Sequence, residues 1–415
     1  MADANRDCFM SRQHPGTDPA TNVRDLQASS ATAEAGRVVP AAERERGPCN
    51  EREAGGASLN AGRLDERFGT LDAGRWLAAA AVVLYHCSGI LQHRPFSGFF
   101  QIGYHGVDFF FALSGFVIAN AHLRDFGRPI RFSAYARKRF LRIYPPYWVA
   151  TLLTIAWAFI HPSNQRVGIE STVLNLLLIP RSSVDYPLVV PAWTLFYEVL
   201  FYIFFGLLIL MPRALARAAL LLWPLAIYRF GVELHQGTFP SSFLMSKLIL
   251  EFFCGVGACL IYSYLDRVTA VGVLILGLAM MGIALALEIA PGTLPVWVDQ
   301  LPSLARYAGS SAAIIAGLAA IERRFGSLRS GVTDQLGNFS YSTYLIHYLV
   351  LMVLAQSGLM TRLAPLASWL VWSILALVCL AVGALFHKVL ERPALWVCRW
   401  VLSRQRAVWR LKASS

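Results

Sequence analysis

The sequence predicts an all-α fold: a polytopic membrane helix bundle of about ten transmembrane helices, with both termini cytoplasmic. Three observations point there. Composition is the first: 56% of residues are apolar and 15% charged, with a mean hydropathy of +0.49. A soluble domain carries roughly 45–50% apolar and about 25% charged residues. The second is that apolar residues fall in blocks of about 17–25, the length that crosses about 30 Å of hydrocarbon. The third is an alternation of basic and charge-poor loops between those blocks.

The chain opens with a polar stretch, 1–67, rich in Ala, Gly, Arg and Glu and without apolar periodicity. It lacks the charged, apolar and cleavage regions of a signal peptide. It reads either as a disordered cytoplasmic extension or as residues translated ahead of the true start. The bundle follows as 68–397 and a basic cytoplasmic tail as 398–415. Within the bundle the spans are 71–91, 104–122, 143–160, 193–211, 214–230, 243–265, 269–289, 303–321, 336–356 and 367–387. The run STVLNLLLIP at 171–180 is too short to cross and is read as interfacial or re-entrant.

Loop charges orient these spans. Arg124, Arg128, Arg131, Arg137, Lys138, Arg139 and Arg142 follow the second. Arg213 and Arg217, then Arg267, then Arg323, Arg324 and Arg329 follow later even-numbered spans, and the tail is basic. The opposite loops are sparse in charge. The positive-inside rule assigns the rich set to the cytoplasm. The net charge of +12 is therefore read as topology and membrane-lipid contact, with no nucleic-acid partner. Cys8 and Cys49 lie in the polar stretch and the other five cysteines in or beside apolar runs, so no disulfide or metal framework is read.

Ionisable groups at membrane depth are costly, and each is a functional candidate. In LDAGRWLAAAAVVLYHCSGI, Arg75 stands at the cytoplasmic end of the first span. His86 lies about 16 Å further along the helix at 1.5 Å per residue, near the midplane. Glu198 lies roughly 8–10 Å inside the fourth span, past Trp193, and His347 lies near the midplane of the ninth. A carboxylate beside a histidine would orient it as a general base. Shared depth is not contact, however, and Glu198 as a structural carboxylate paired to arginine stays open. Lys138, Arg139 and Arg142 stand at the mouth of the third span, with Tyr144 just beyond. Topology anchoring accounts for most of that loop, while a tight arginine pair beside Arg75 suits a phosphate. Asp108 opens the second span, and Ser114-Gly115 within it is a small pair suited to close helix approach. Neither a nucleophile elbow nor a P-loop is present, so hydrolase and NTPase readings lack support.

Taken in order, six segments resemble one family. LDAGRWLAAAAVVLYH, GVDFFFALSGFVI, YARKRFLRIYPPYW, PAWTLFYEVLFY, LGNFSYSTYLIHYLV and HKVLERPALW are similar to the successive motifs of acyltransferase family 3, the bacterial integral-membrane enzymes that O-acylate surface and secreted carbohydrates. Lys138 replaces the first arginine of the third motif. The resemblance implies an acyl-CoA donor, usually acetyl-CoA, reaching the protein from the cytoplasm, with no metal. The family's essential histidine and arginines carry over to His86, Arg75, Arg139 and Arg142; together with the depth argument this makes His86 and Glu198 the catalytic candidates and Arg75, Arg139, Arg142 and Lys138 the donor-binding ones. Trp193, Asp108, Tyr144 and His347 become candidates for substrate contact. The acceptor would be a carbohydrate or glycolipid, the membrane the bacterial inner membrane, and the oligomeric state is open. Some members carry an esterase-like domain after the last helix. None follows here, which implies acyl transfer by one polypeptide or a separate partner. Two other functions compete: a transporter or exporter of a glycan or acylated metabolite using the same midplane charges, and a lipid- or partner-binding scaffold.

Overall fold

A computed structural model describes residues 68–91, 95–161, 168–182, 187–235, 238–290, 302–363 and 365–413. The reading of 1–67 lies outside the described residues. Every described element is helical. The long helices are α1 (Gly69–Ile90), α2 (Gly106–His122) and α3 (Phe132–Ile160), then a short α4 (Ile169–Leu176). They continue as α5 (Trp193–Leu210), α6 (Arg213–His235), α7 (Leu248–Ile261), α8 (Arg267–Ile289) and α9 (Ser310–Phe325). The last are α10 (Gly331–Gln356), α11 (Ser368–Phe386) and α12 (Arg392–Ala413).

Nine helical stretches among the described residues are long and apolar enough to cross a membrane. They match the second to tenth expected spans. The remaining expected span is α1, whose 22 residues reach about 33 Å. It falls short in apolarity because it carries Asp72, Arg75, Tyr85 and His86. It nevertheless packs along α10, α2 and α11, all within the crossing set. The helix that carries these side chains thus packs against helices that meet the crossing criterion, the arrangement that lipid imposes on costly side chains.

The arginine-rich loops gather at one end of the bundle. The Arg128 amide donates to the Ile209 carbonyl at 3.1 Å, and Arg213 Nε to the Phe126 carbonyl at 3.2 Å. Arg324 Nε reaches the Leu265 carbonyl at 3.1 Å. The start of α1 joins them through Glu322, whose carboxylate accepts from the Gly69 and Thr70 amides at 2.8 and 3.0 Å and from Thr70 Oγ1 at 2.6 Å. That buried carboxylate satisfies the free N–H groups of the first turn, where the helix dipole favours negative charge.

Close packing holds the centre. A Cβ at Gly115 would collide with the Phe252 carbonyl, and one at Gly255 with the Ala112 carbonyl, so α2 and α7 touch backbone to backbone. Phe252 then stacks between Phe111 and Phe201, each at 4.6 Å. The described cysteines are free, with Cys87, Cys259 and Cys379 buried as small apolar groups.

Three boundaries differ from the sequence reading. α3 begins at Phe132, so the basic segment ahead of the expected third span is already helical. Pro145 and Pro146 sit inside it, where their rings remove two helix hydrogen bonds just past Arg142. The short 171–180 run forms α4 and a turn, held by Tyr147, Trp148 and Tyr144, which donate to the carbonyls of Asn175 (2.9 Å), Leu176 (2.8 Å) and Leu177 (3.1 Å). These side chains satisfy the orphan carbonyls of a helix end. Finally, α11 runs through a π-type turn, His387–Glu391, into α12, so the basic tail is helical to Ala413.

Candidate active site

A cleft runs from the arginine-rich end into the bundle, through three spaces that share walls. The outermost and largest is lined by Arg124, Arg128, Arg131, Lys138, Arg213 and Arg217. Through His122 and Lys138 it adjoins a middle space that holds Asp72, Arg75, Arg139 and Arg142. Through Arg75, Ser114 and Arg142 this meets a much smaller inner lobe. The lobe is walled chiefly by Val107, Phe110, Leu195 and Tyr344, with Glu198 at one side.

The arginines are held differently. Arg75 Nη1 donates to Asp72 Oδ1 at 2.7 Å, one turn away on α1. Arg139 Nη2 donates to His122 Nε2 at 3.2 Å, so His122 must carry its proton on Nδ1, which lies 3.0 Å from Asp125 Oδ2. The Arg139 guanidinium also sits 5.3 Å from the Tyr202 ring, within cation–π range. Arg142 exposes its side chain to the cleft, and no hydrogen bond or ion pair among the described residues holds its guanidinium. It stands 6.0 Å from the Tyr341 ring, within electrostatic reach of Glu198 and Glu391. A guanidinium kept open at such depth suits an anion that arrives from outside.

Glu198 Oε1 accepts from Tyr202 OH at 2.5 Å and from Ser114 Oγ at 3.2 Å. No hydrogen bond links it to His86 among the described residues. The second histidine takes the place of a carboxylate: His347 Nε2 lies 3.3 Å from His86 Nδ1, and the rings are 5.0 Å apart. The partners of this pair assign its protons. His347 Nδ1 faces the Thr343 carbonyl at 3.2 Å, an acceptor only, so the proton of His347 sits on Nδ1 and its Nε2 is a lone pair. His86 Nδ1 must then supply the proton between the rings, and the Val82 carbonyl at 3.0 Å accepts that same N–H. Both contacts leave His86 Nε2 unprotonated, with its lone pair available as a base.

The histidine pair lies behind a partition. Val107 and Phe110 line the inner lobe and also pack on Ala79, Val82 and Tyr344. Val82 is one turn before His86 on α1, and the Tyr344 ring is 6.0 Å from His347.

Of the expected site residues, the structure gathers Arg75, Lys138, Arg139, Arg142 and Glu198 around the cleft and joins His86 to His347 beyond its end. Three others lie apart. The Trp193 ring packs edge-on against Phe111 and Tyr197, and the Tyr144 hydroxyl is committed to the end of α4. Asp108 faces the opposite end of α2, where it accepts from His105 Nδ1 at 2.9 Å. There His105 Nε2 faces Glu288 at 2.9 Å, and Tyr307 OH donates to Glu288 at 2.6 Å. Sequence reading missed Asp72, His122 and Tyr202. Asp72 and Tyr202 had a local signal, three residues from Arg75 and four from Glu198, spacings that face each other on a helix. Among the described residues no group of His, Cys, Asp and Glu is arranged to hold a metal ion.

A multi-pass helical membrane protein with a basic cleft and, across the partition at its inner end, an oriented histidine pair has the features of a membrane-embedded group-transfer enzyme. Comparison with known proteins names the group that is moved. The chain belongs to the family described as "Acyltransferase domain", whose model matches residues 68–388. It is 28% identical over 325 residues to the exopolysaccharide production protein ExoZ of Rhizobium meliloti (strain 1021), covering 75% of this chain and 94% of that protein. It is 26% identical over 385 residues to the acyltransferase MdmB of Streptomyces mycarofaciens, covering 82% and 94%. Over 93 residues it is 38% identical to protein 2 in the picA locus of Rhizobium radiobacter, covering 22% of this chain and 46% of that one. No solved structure matches it. The protein is thus a multi-pass membrane acyltransferase that moves groups other than aminoacyl groups.

Proposed function

We propose that the protein is an O-acyltransferase of the bacterial inner membrane, moving an acyl group, acetyl in the simplest case, from cytoplasmic acyl-CoA to a hydroxyl of a carbohydrate or glycolipid. The observation that carries this reading is the cleft itself, basic at its mouth and closed at its inner end by Val107 and Phe110, which pack on the helix that bears His86. The positive-inside rule supports a cytoplasmic mouth. The names of the relatives, one an acyltransferase and one acting in exopolysaccharide production, support acyl transfer to a glycan.

In this reading Lys138, Arg139 and Arg142 hold the phosphates of the donor together with Arg75, which Asp72 aims. Arg139 is itself positioned by the His122–Asp125 pair, and Glu198 balances the charge of Arg142. His86 Nε2 takes the proton of the acceptor hydroxyl as its oxygen attacks the thioester carbonyl. The C–S bond breaks, and the imidazolium returns its proton to the leaving thiolate, so no net proton is consumed. His347 and the Val82 carbonyl hold the His86 Nδ1–H throughout and stabilise the imidazolium between those steps.

The test compares surface and secreted glycans of a deletion strain, its parent, and strains restored with wild type or His86→Ala. Mass spectrometry should show an acyl mass lost on deletion, regained with wild type and still absent with His86→Ala at equal membrane abundance. An acyl mass restored in full by His86→Ala would refute the base assignment.

A further inference from the structure

The three spaces differ in chemistry as well as in size. The outermost carries six of the basic side chains, and the middle one adds Arg75, Arg139 and Arg142. The inner lobe has guanidinium groups only on the wall it shares with the middle space, and its remaining walls are mainly aliphatic and aromatic. An acyl thioester of coenzyme A has the same gradient, from phosphates at one end, through a polar amide arm, to an apolar tail. Matching the gradients directs the tail into the lobe.

We propose that the inner lobe is the acyl-chain pocket, and that Val107 and Phe110 set the length of chain it accepts, favouring short, uncharged acyl groups. This rests on the acyl-CoA reading above and adds the class of donor. Val107 and Phe110 are three residues apart on α2, so they share a face. One side of that pair borders the lobe and the other packs on Ala79 and Val82, beneath the turn that bears His86. The side chains that would bound the acyl chain therefore also pack on the helix that bears His86. Both side chains are only half-buried, unlike neighbouring Phe111, which is 3% exposed and stacked on Phe252. A change at Val107 or Phe110 thus reshapes the lobe more than the core. Away from its arginine-bearing mouth, the lobe offers no cation to a carboxylate at the far end of an acyl chain.

The test uses the full-length protein in detergent and radiolabelled acetyl-CoA, displaced by unlabelled acetyl-, butyryl-, hexanoyl- and succinyl-CoA. Wild type should bind acetyl- and butyryl-CoA at least about 10-fold more tightly than hexanoyl-CoA, since each methylene that a pocket cannot house costs about that factor. Phe110→Ala should shift the hexanoyl-to-acetyl ratio toward hexanoyl by about 10-fold or more. Val107→Phe, which fills the lobe, should shift the butyryl-to-acetyl ratio the other way, and it carries the test if Phe110→Ala does not fold. A wild type that binds no CoA ester would refute the donor reading and this pocket with it. Binding with a rank order that neither variant changes, or a preference for succinyl- over butyryl-CoA, would overturn the pocket alone.

Discussion

Replacing His347 separates an oriented base from a histidine that merely packs. The side chain is fully buried, and its Nε2 accepts the His86 Nδ1–H at 3.3 Å, while the Val82 carbonyl accepts the same proton at 3.0 Å. His347→Leu therefore leaves that proton one acceptor and removes the other. When His86 takes up a second proton in the transition state, the lost contact is one to a charged donor, worth about 1.5–3 kcal/mol. At about 1.4 kcal/mol per decade, kcat should fall by about 10- to 100-fold. His347 does not line the cleft, so KM for acyl-CoA should not change. His347→Gln can return an oxygen acceptor close to the position of Nε2 and should recover most of the loss. The assay is initial-rate release of CoA thiol by purified protein with a hydroxyl acceptor, over a range of acyl-CoA concentrations. A His347→Leu enzyme with wild-type kcat, or a glutamine variant no better than leucine, would refute the tautomer argument.

Other consequences can be measured with the same preparations. Arg142→Gln should raise the dissociation constant for acyl-CoA by about 10-fold or more, the worth of one charge-assisted contact, and Arg142→Lys should restore part of it; calorimetric titration reads both. Glu322→Ala strips three donors at the start of α1 of their acceptor and should destabilise the protein by about 2–4 kcal/mol, seen as a fall of several degrees in Tm in detergent. Gly255→Val places a side chain against the Ala112 carbonyl and should prevent a monodisperse protein, read by size-exclusion chromatography, whereas Val at Gly257, where the added group meets nothing, should be tolerated.

The helical spans were legible because lipid constrains sequence so strongly. A chain that must satisfy its backbone internally over about 30 Å leaves long apolar runs, and the loops between them carry the charge bias of insertion. α1 was legible for the opposite reason, because His86 and Arg75 interrupt an otherwise apolar run. The start of α3 was less so. The basic segment from Arg137 to Arg142 looks like a loop in composition, yet it is helical because α3 continues past the apolar run to Phe132. That extension is what places Arg139 and Arg142 together on the cleft.

Depth along a helix follows from counting residues, and the sequence by itself set His86, Glu198 and His347 at comparable depth. Which of them meet depends on how each helix is rotated and where its neighbours stand, and a residue count does not contain that information. Only the tertiary structure decided that His86 pairs with His347, while Glu198 turns to Ser114 and Tyr202 across the Val107–Phe110 partition. The sequence alone determined a bundle, its span lengths and the residues too costly to bury without purpose. Packing decided the rest, because the close approach of α2 and α7 at Gly115 and Gly255, and of α1 against α10, sets the rotations that bring some of those side chains into contact and keep others apart.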